Sequence, residues 1–374
     1  MAELNKQDYE PGTHIDLAPP VSQVGITGWM RKNLFSTPTN VALTILTIYF
    51  LYKVIPPVLN WAFFDAVFSD VGHRNECREI AGGACWAVVR ARLEQFIYGF
   101  YPEHLRWRVN LTFVLMFVAL LPLLYDNVPK RKYLLWFSLI YPFLAFFMLW
   151  GGLGLEDVES AKMGGFMLTV LIGMTGIVVS LPLGIALSLG RHSSAPIIKV
   201  LSVWYIEFFR GVPLITLLFV ASTLLNYFMP PGTHFDLLLR VIIMVILFAA
   251  AYIAEVIRGG LAAIPKGQFE AADALGLSYA KSMRLIILPQ ALKISIPGIV
   301  NTFIGLYKDT TLVVIVGLLD PLGISRATLA DSSWQGLSTE LYIFIALGFF
   351  ISCFAMSRYS LYLERKLDTG HRVK

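Results

Sequence analysis

Residues 270–289 read EAADALGLSYAKSMRLIILP. Four charged residues, Glu270, Asp273, Lys281 and Arg284, stand in this small, alanine-rich stretch, although the chain on either side is apolar enough for a lipid core. Pro265 upstream can open a helix, because its missing N–H falls where an intrahelical partner is absent anyway. Glu270 then lies early in that helix, where a carboxylate suits the positive end of the dipole. Gly276 is placed to take the left-handed conformation that ends a helix. A second helix is expected from about Ser278 to Pro289, where the chain re-enters the membrane. Periodicity alone leaves two readings open. One is an ordinary amphipathic loop helix; the other is a rigid lug whose small side chains let another protein approach closely.

The surroundings of this stretch are those of a membrane protein. Of 374 residues 56% are hydrophobic and only 15% charged, against about 25% charged in a soluble domain. A helix crossing a bilayer core uses roughly 17–25 apolar residues. Runs of that kind fall near 39–59, 108–125, 133–150, 164–189, 212–229, 237–257, 296–319 and 340–362. The expected fold is therefore all-α, an integral membrane protein of about eight transmembrane helices. The net charge of +5 is read through loop placement rather than nucleic-acid binding, because Lys and Arg collect on the cytoplasmic side of spans. Arg31 and Lys32, the PKRK run at 129–132, Arg191, Lys199, the 258–293 loop and the C-terminal RKLDTGHRVK all favour an N-in, C-in arrangement. The first 35 or so residues are polar and rich in Pro and Gly, so the first apolar run is expected to be a retained span.

The N-in arrangement puts the long 65–107 loop outside. Cys77 and Cys85 lie there with seven residues between them, Gly82 and Gly83 included, and an oxidising compartment would permit a disulfide between them; two free thiols are the alternative. Further along, Trp86, Val89, Leu93, Phe96, Ile97 and Phe100 recur at helical spacing and predict an amphipathic helix. It would lie on the membrane, cover a neighbouring span, or dock an external partner. GWMRKNLF at 28–35 reads as an interfacial segment ahead of the first span.

Charges inside spans cost about 2.5–3.5 kcal/mol each near mid-bilayer, so those present face protein or water. Lys308 and Asp309 lie in the seventh apolar run, followed by Thr310 and Thr311, with Asn301 two turns earlier. They are either a structural set partnered by neighbouring helices or a lining of the substrate path. Glu207 and Arg210, three apart, share a helix face and are candidates for a gate ion pair. Arg240, near one end of the sixth run, is expected to snorkel towards water.

The order of residues carries a resemblance. Glu270-Ala271-Ala272, then Gly276, Ile286, Leu288 and Pro289 at their spacings, resemble in full the EAA loop of import-type ABC-transporter permeases. EFFRGVPL at 207–214, YIAEVIRGGLAAIPKGQFEAADALGLS at 252–278, RLIILPQALKISIPGIVN at 284–301 and GLYKDTTLV at 305–313 are similar to the polar amino-acid permease family, the histidine/glutamine type. The long N-terminal addition resembles the M-type permease of the bacterial general L-amino-acid transporter. The resemblance implies three parts. These are a cytoplasmic N-terminal segment 1–38 with an interfacial helix, a three-span addition 39–155 including the external loop 65–107, and a five-helix permease core 156–374 with a cytoplasmic coupling loop 258–293.

It also implies a non-catalytic translocation subunit of the bacterial inner membrane that imports L-amino acids. Its expected partners are two ATPase subunits, a second permease in a heterodimer, a periplasmic amino-acid-binding protein and membrane lipids. ATP and Mg are expected on the partner ATPase, because the chain has no G-x-x-x-x-G-K-[ST] string; AAIPKGQ has Lys before Gly and lacks the hydroxyl residue. No cofactor or metal is expected on this chain. An importer for another small polar solute and a secondary transporter are the alternatives. The second predicts repeats with broken helices at matching positions and leaves residues 270–289 without a purpose.

Overall fold

The computed structural model describes residues 25–125, 127–152, 154–224, 227–228, 230, 232 and 235–367. The N-terminal segment up to residue 24, the basic run from residue 368, and His14, His234 and His371 lie outside the described residues. Two compact units are formed, Met1–Val67 with Cys77–Ala84, and Phe68–Glu76 with Cys85–Lys374.

In the first unit a short helix, α1 (Gly25–Asn33), takes up most of the expected interfacial segment, with Trp29 exposed. Thr37 then opens α2 (Pro38–Leu59) by accepting the Asn40 N–H at 3.2 Å, and Pro38 occupies the first turn, where a proline costs nothing. Pro56 and Pro57 end the regular helix, which widens into a π turn over Asn60–Phe64. The whole of Pro38–Phe64 is 27 residues, long and apolar enough to cross a membrane.

Next in the chain come the short helix α3 (Arg74–Ile80) and, in the second unit, α4 (Ala87–Tyr98). Two antiparallel spans follow, α5 (Arg106–Leu124) and α6 (Arg131–Trp150), packed on one another. The centre is the pair α7 (Gly165–Arg191) and α10 (Leu237–Ala262). Ala249, Ala250, Ala251 and Ala254 are buried on α10, and Gly173, Gly176 and Gly184 on α7 lie against neighbouring helices. Small residues let helix backbones approach where lipid gives no hydrophobic incentive to associate. Between these two lie α8 (Pro196–Gly211) and α9 (Leu214–Phe219), the latter continued by a π turn over Val220–Leu224. After α10 come α11 (Lys266–Ala274), α12 (Tyr279–Ser282), α13 (Leu288–Asp309), α14 (Pro321–Ala330) and α15 (Ser338–Leu367). Among the described residues there is no strand, only three isolated bridges.

Seven helical segments are long and apolar enough to cross a membrane, or eight if the bent pair Pro196–Gly211 and Leu214–Leu224 is one span. The expected fifth span at 212–229 is thus not a straight helix. Val212 is extended (φ −106°, ψ 130°) ahead of Pro213, as residues before proline are, and the chain turns by 99° there. The seventh differs too. The helix from Ser278 does not stop at Pro289 but continues, so that Tyr279–Val316 forms one 38-residue span. A π turn at Met283–Ile287 places Pro289 in the first turn of α13, where its missing N–H breaks nothing.

Arg240 does not snorkel. It is buried at 7% exposure, and its Nη1 donates to the carbonyls of Ala221 and Ser222 at 2.9 and 2.8 Å. Those carbonyls belong to the π turn after α9. The amphipathic helix α4 buries only part of the face its spacing suggested, with Trp86, Val89 and Ile97 half-buried. Ala87, Val88 and Phe96 are buried, whereas Leu93 and Phe100 are exposed. It packs on α7, α14 and α15, with Phe96 edge-on to Phe344 at 5.1 Å. Arg92 pairs with Asp331, the Cys85 N–H donates to Glu340 at 3.2 Å, and Arg74 donates to the Gln335 carbonyl. The Ser333 N–H and then Arg92 hold the Asp331 carboxyl below the usual range. Where α4 ends, Gly99 (φ +65°) and Gly165 (φ +60°) cross the chain so closely that a Cβ would meet Gly164 or the Phe96 carbonyl at 2.4 and 2.2 Å. Only glycine fits both the backbone conformation and the space.

Asp320, between the last two spans, caps α14 by accepting the Gly323 N–H at 2.9 Å. It is fully buried, and its second oxygen has no hydrogen-bond partner. Burial outweighs the N–H groups of Gly323 and Leu322 and pushes the carboxyl up to about 6, from about 3.9 in an unfolded chain. A raised carboxyl opposes folding only when ionised. Stability should therefore fall as pH rises from about 4 to about 6 and stay level above, by an amount on the order of 1–3 kcal/mol. Asp320→Asn keeps the cap and removes the charge. The variant in detergent should lose less thermal stability than the parent between pH 4.5 and 7.5; equal losses would show that the carboxylate is compensated.

Candidate functional site

The 258–293 segment is built from its own sequence. Pro265 (φ −58°, ψ 138°) precedes α11, and Phe269 packs into a cluster formed by Ile253, Ile257, Leu261, Met283 and Ile287. Ala272 is buried on the same side. At the other end Gly276 stands at φ +70°, its N–H bonded to the Asp273 carbonyl at 2.9 Å, and the Leu277 N–H to that of Ala272 at 3.2 Å. These two bonds are the glycine-dependent helix stop in full. Nothing lies within 4 Å of where a Cβ on Gly276 would sit, so the constraint there is conformational and not steric. Gln290 donates to Gln268 at 3.1 Å and ties the start of α11 to α13.

One face of α11 is thereby fixed to the bundle and the other is left free. Glu270, Ala271, Asp273 and Ala274 are exposed, as are Leu275 at 74% and Tyr279 at 60%. Ile286 and Leu288 are half-buried; Ile286 packs against the cluster beneath α11, and Pro289 is exposed. Of the residues singled out in the sequence, Ala272 and Ile286 face the bundle and Glu270 and Ala271 are exposed, whereas Phe269, which packs into the cluster, was not among them.

Glu207 and Arg210 do share a face, but their contact is the longest of its group at 4.0 Å. Each belongs to a wider network. Arg191, the last residue of α7, contacts Glu207 at 2.9 Å and Glu255 at 3.5 Å. Arg210 reaches Glu255 at 3.6 Å, with its guanidinium 5.9 Å from the Tyr252 ring centre. Arg258 donates to Glu255 through Nε and Nη2 at 2.9 and 2.7 Å. Glu255 is the hub, joined to three arginines on three helices. Sequence reasoning missed Arg191, Glu255 and Arg258. The signal for two of them was present in YIAEVIRGG, an acid and a base three apart at the end of an apolar run.

The other candidates stand apart from this network. Asn301 and Lys308 are exposed on α13, Asp309 is half-buried at its end, and Thr310 is buried. Thr310 and Thr311 donate back to the carbonyls of Tyr307 and Lys308 at 2.8 and 2.9 Å, as the helix tightens into a 3-10 turn over Thr310–Val316. Each hydroxyl thus spends its proton on its own helix and keeps only acceptor capacity. Among the described residues no hydrogen bond or ion pair joins this group to Glu207 and Arg210. Cys77 and Cys85 are both disulfide-bonded, and Cys353 on α15 is a free thiol.

Residues 180–369 match the model of a family described as binding-protein-dependent transport system inner membrane component. Two relatives are similar over nearly their whole length. The glutamate/glutamine/aspartate/asparagine transport system permease of Rhodobacter capsulatus is 50% identical, covering 95% of this chain and 98% of its own. An inner membrane amino-acid ABC transporter permease of Escherichia coli is 49% identical, covering 91% and 93%. A solved amino acid ABC transporter with histidines is 29% identical over 54% of this chain and 91% of its own, with a TM-score of 0.49. A family match over half the chain and relatives of matching length agree, and the chain belongs to the binding-protein-dependent transport system inner membrane components, as a permease subunit.

Proposed function

We propose that this chain is one permease subunit of an ATP-driven importer that brings L-amino acids into the cytoplasm. The observation that carries the proposal is α11, anchored on one face by Phe269 and Ala272, stopped by Gly276, and free on the other. A helix so held transmits force in both directions. It would seat in a cleft of a separate ATPase subunit, through Glu270, Ala271 and Leu275, with ATP and Mg bound on that partner. The chain lies N-in, C-in; the disulfide-bonded Cys77 and Cys85 then face the oxidising side, where a periplasmic amino-acid-binding protein delivers substrate. A second permease completes the pathway in a heterodimer. The amino-acid class is supported by what the Rhodobacter and Escherichia relatives are named for.

The Glu255 network fits an inner gate, because it ties the ends of α7, α8 and α10 by contacts that water entering the path would weaken. Asp309 fits a contact for the substrate ammonium, since a zwitterion crossing a low-dielectric path needs both charges paired and losing one partner costs several kcal/mol, on the order of 3–5 kcal/mol.

Three outcomes are expected. In Gly276→Val a β-branched residue is forced into the left-handed region at a cost of about 1–2 kcal/mol, and the helix stop is lost. Uptake should collapse while membrane insertion stays normal, and ATP hydrolysis by the purified complex should no longer respond to loaded binding protein. Undiminished uptake would remove α11 from the coupling role. In the reconstituted complex, amino acids presented by the binding protein should stimulate ATP hydrolysis and sugars should not. Asp309→Asn should lower uptake of acidic, neutral and basic amino acids by similar factors. A loss restricted to cationic substrates would mean that Asp309 reads side chains instead.

A further inference from the structure

We propose that the external segment carrying Arg74, Cys85, Arg92 and α4 is a clamp that joins the outer ends of α7, α14 and α15 into one block, and that this block stays closed while the path opens and shuts. The inference rests on the reading that this chain lines an importer's path. It names the part of the chain that does not move in transport, and it gives the N-terminal addition a task.

The loop between α14 and α15 is completed by residues from the other end of the chain. The Ser333 carbonyl accepts the Arg74 N–H at 2.9 Å, and the Gln335 carbonyl accepts the Arg74 guanidinium from 261 positions away. One residue thus satisfies two carbonyls of the turn, groups that need a partner wherever water is excluded. Gly336 (φ +89°) lets the chain pass, because a Cβ there would stand 2.8 Å from Arg74 Nη1. On either side of this turn the clamp takes hold again. Arg92 pairs with Asp331, just past the end of α14. The Cys85 N–H donates at 3.2 Å to Glu340, a buried carboxylate in the first turn of α15. A buried acceptor stripped of its donor is costly, so withdrawal of Cys85 from α15 is resisted.

A second seam runs from backbone to backbone. The Phe100 N–H, just past α4, donates to the Lys162 carbonyl at 3.0 Å, and the Gly165 N–H at the start of α7 to the Leu319 carbonyl at 2.7 Å. Bridges at Gly99–Met163 and Gly164–Leu319 lace the same three segments together. Between the two seams Phe96, wholly buried, meets Phe344 of α15 edge-on. Hydrogen bonds of this kind weaken steeply once stretched or tilted. The segments therefore part together or not at all. Opening towards the outside is left to elements beyond the block, and α13 is in direct chain connection with it through Gly317 (φ +89°).

The test bridges each seam in the full complex, in a Cys353→Ser background, and asks whether transport survives. Phe100→Cys/Lys162→Cys places thiols at two exposed positions whose backbones are already hydrogen-bonded. That pair lies within the span of a disulfide, and its oxidation should leave uptake within about twofold of the reduced variant. Arg92→Cys/Asp331→Cys is a wider pair, closed by a short bis-maleimide. Left open it lacks an ion pair, and uptake per permease in the membrane should fall roughly threefold. Closing the bridge should bring uptake back towards the parent. Arrest of uptake on closing either bridge would overturn the inference and make this corner a gate. Full uptake in the open Arg92→Cys/Asp331→Cys variant would overturn the clamp, since nothing would then depend on its grip. The parent complex is assayed alongside: if it imports no amino acid, the transport reading itself fails, whereas import by the parent with arrest in a bridged variant removes only the closed block.

Discussion

Hydrocarbon offers no hydrogen-bond partner, and an unpaired backbone N–H or carbonyl there costs several kcal/mol, about 4–8 kcal/mol on the cyclohexane scale. Three departures from regular helix among the described residues answer to that constraint. Prolines remove donors at Pro56, Pro57, Pro213 and Pro289, and π turns follow or precede them at Asn60–Phe64, Val220–Leu224 and Met283–Ile287. The turn after α9 frees the carbonyls of Ala221 and Ser222, and Arg240 is drawn into the interior to meet them. Its charge is thereby placed among carbonyl dipoles, and two otherwise costly features offset one another. The same turn, with the bend at Pro213, sets the direction of α8 and therefore which of its faces is left free.

What could be read from the sequence follows the range of the interaction concerned. The start and stop of α11 were legible because Pro265 and Gly276 act within a turn of themselves; Glu270, expected early in the helix, is instead the fifth of its nine residues, and the first turn holds no acid. Span positions were legible because bilayer thickness sets a length. The buried face of α4 was legible only in part: Phe96 lies on the expected stripe, but Val88 is selected by α7, α14 and α15, partners far away in the chain, and Leu93 and Phe100 obey the same period without being chosen. The length of the seventh span was misread for a local reason. Pro289 was taken as a stop, whereas a π turn placed one residue earlier lets a helix absorb it.

The charge network shows both sides of this limit. Glu207 and Arg210 were paired from their i, i+3 spacing, which is a statement about one helix. The shorter contacts run to Arg191 and Glu255 on two other helices. Spacing identified residues that carry opposite charge on one face. It could not say that Glu255, inside an apolar run, would gather the charges of α7, α8 and α10 at one point. Because each of its contacts spans 2.7–3.6 Å, any slide of α8 along α10 by more than an ångström or two must exchange partners rather than stretch them.

The continuity of Tyr279–Val316 also has a mechanical meaning. At a rise of 1.5 Å per residue, 38 residues make a rod of about 57 Å. One end of that rod abuts α11 through Met283 and Ile287, and the other carries Lys308, Asp309 and the 3-10 turn. A rod converts angle into distance. A tilt of about 5° at its base carries its tip through about 5 Å, roughly the length of one helical turn. A hinge at Pro289 would absorb such a rotation near its source, whereas a helix that runs on through the π turn would carry it past Pro289 to the rest of α13.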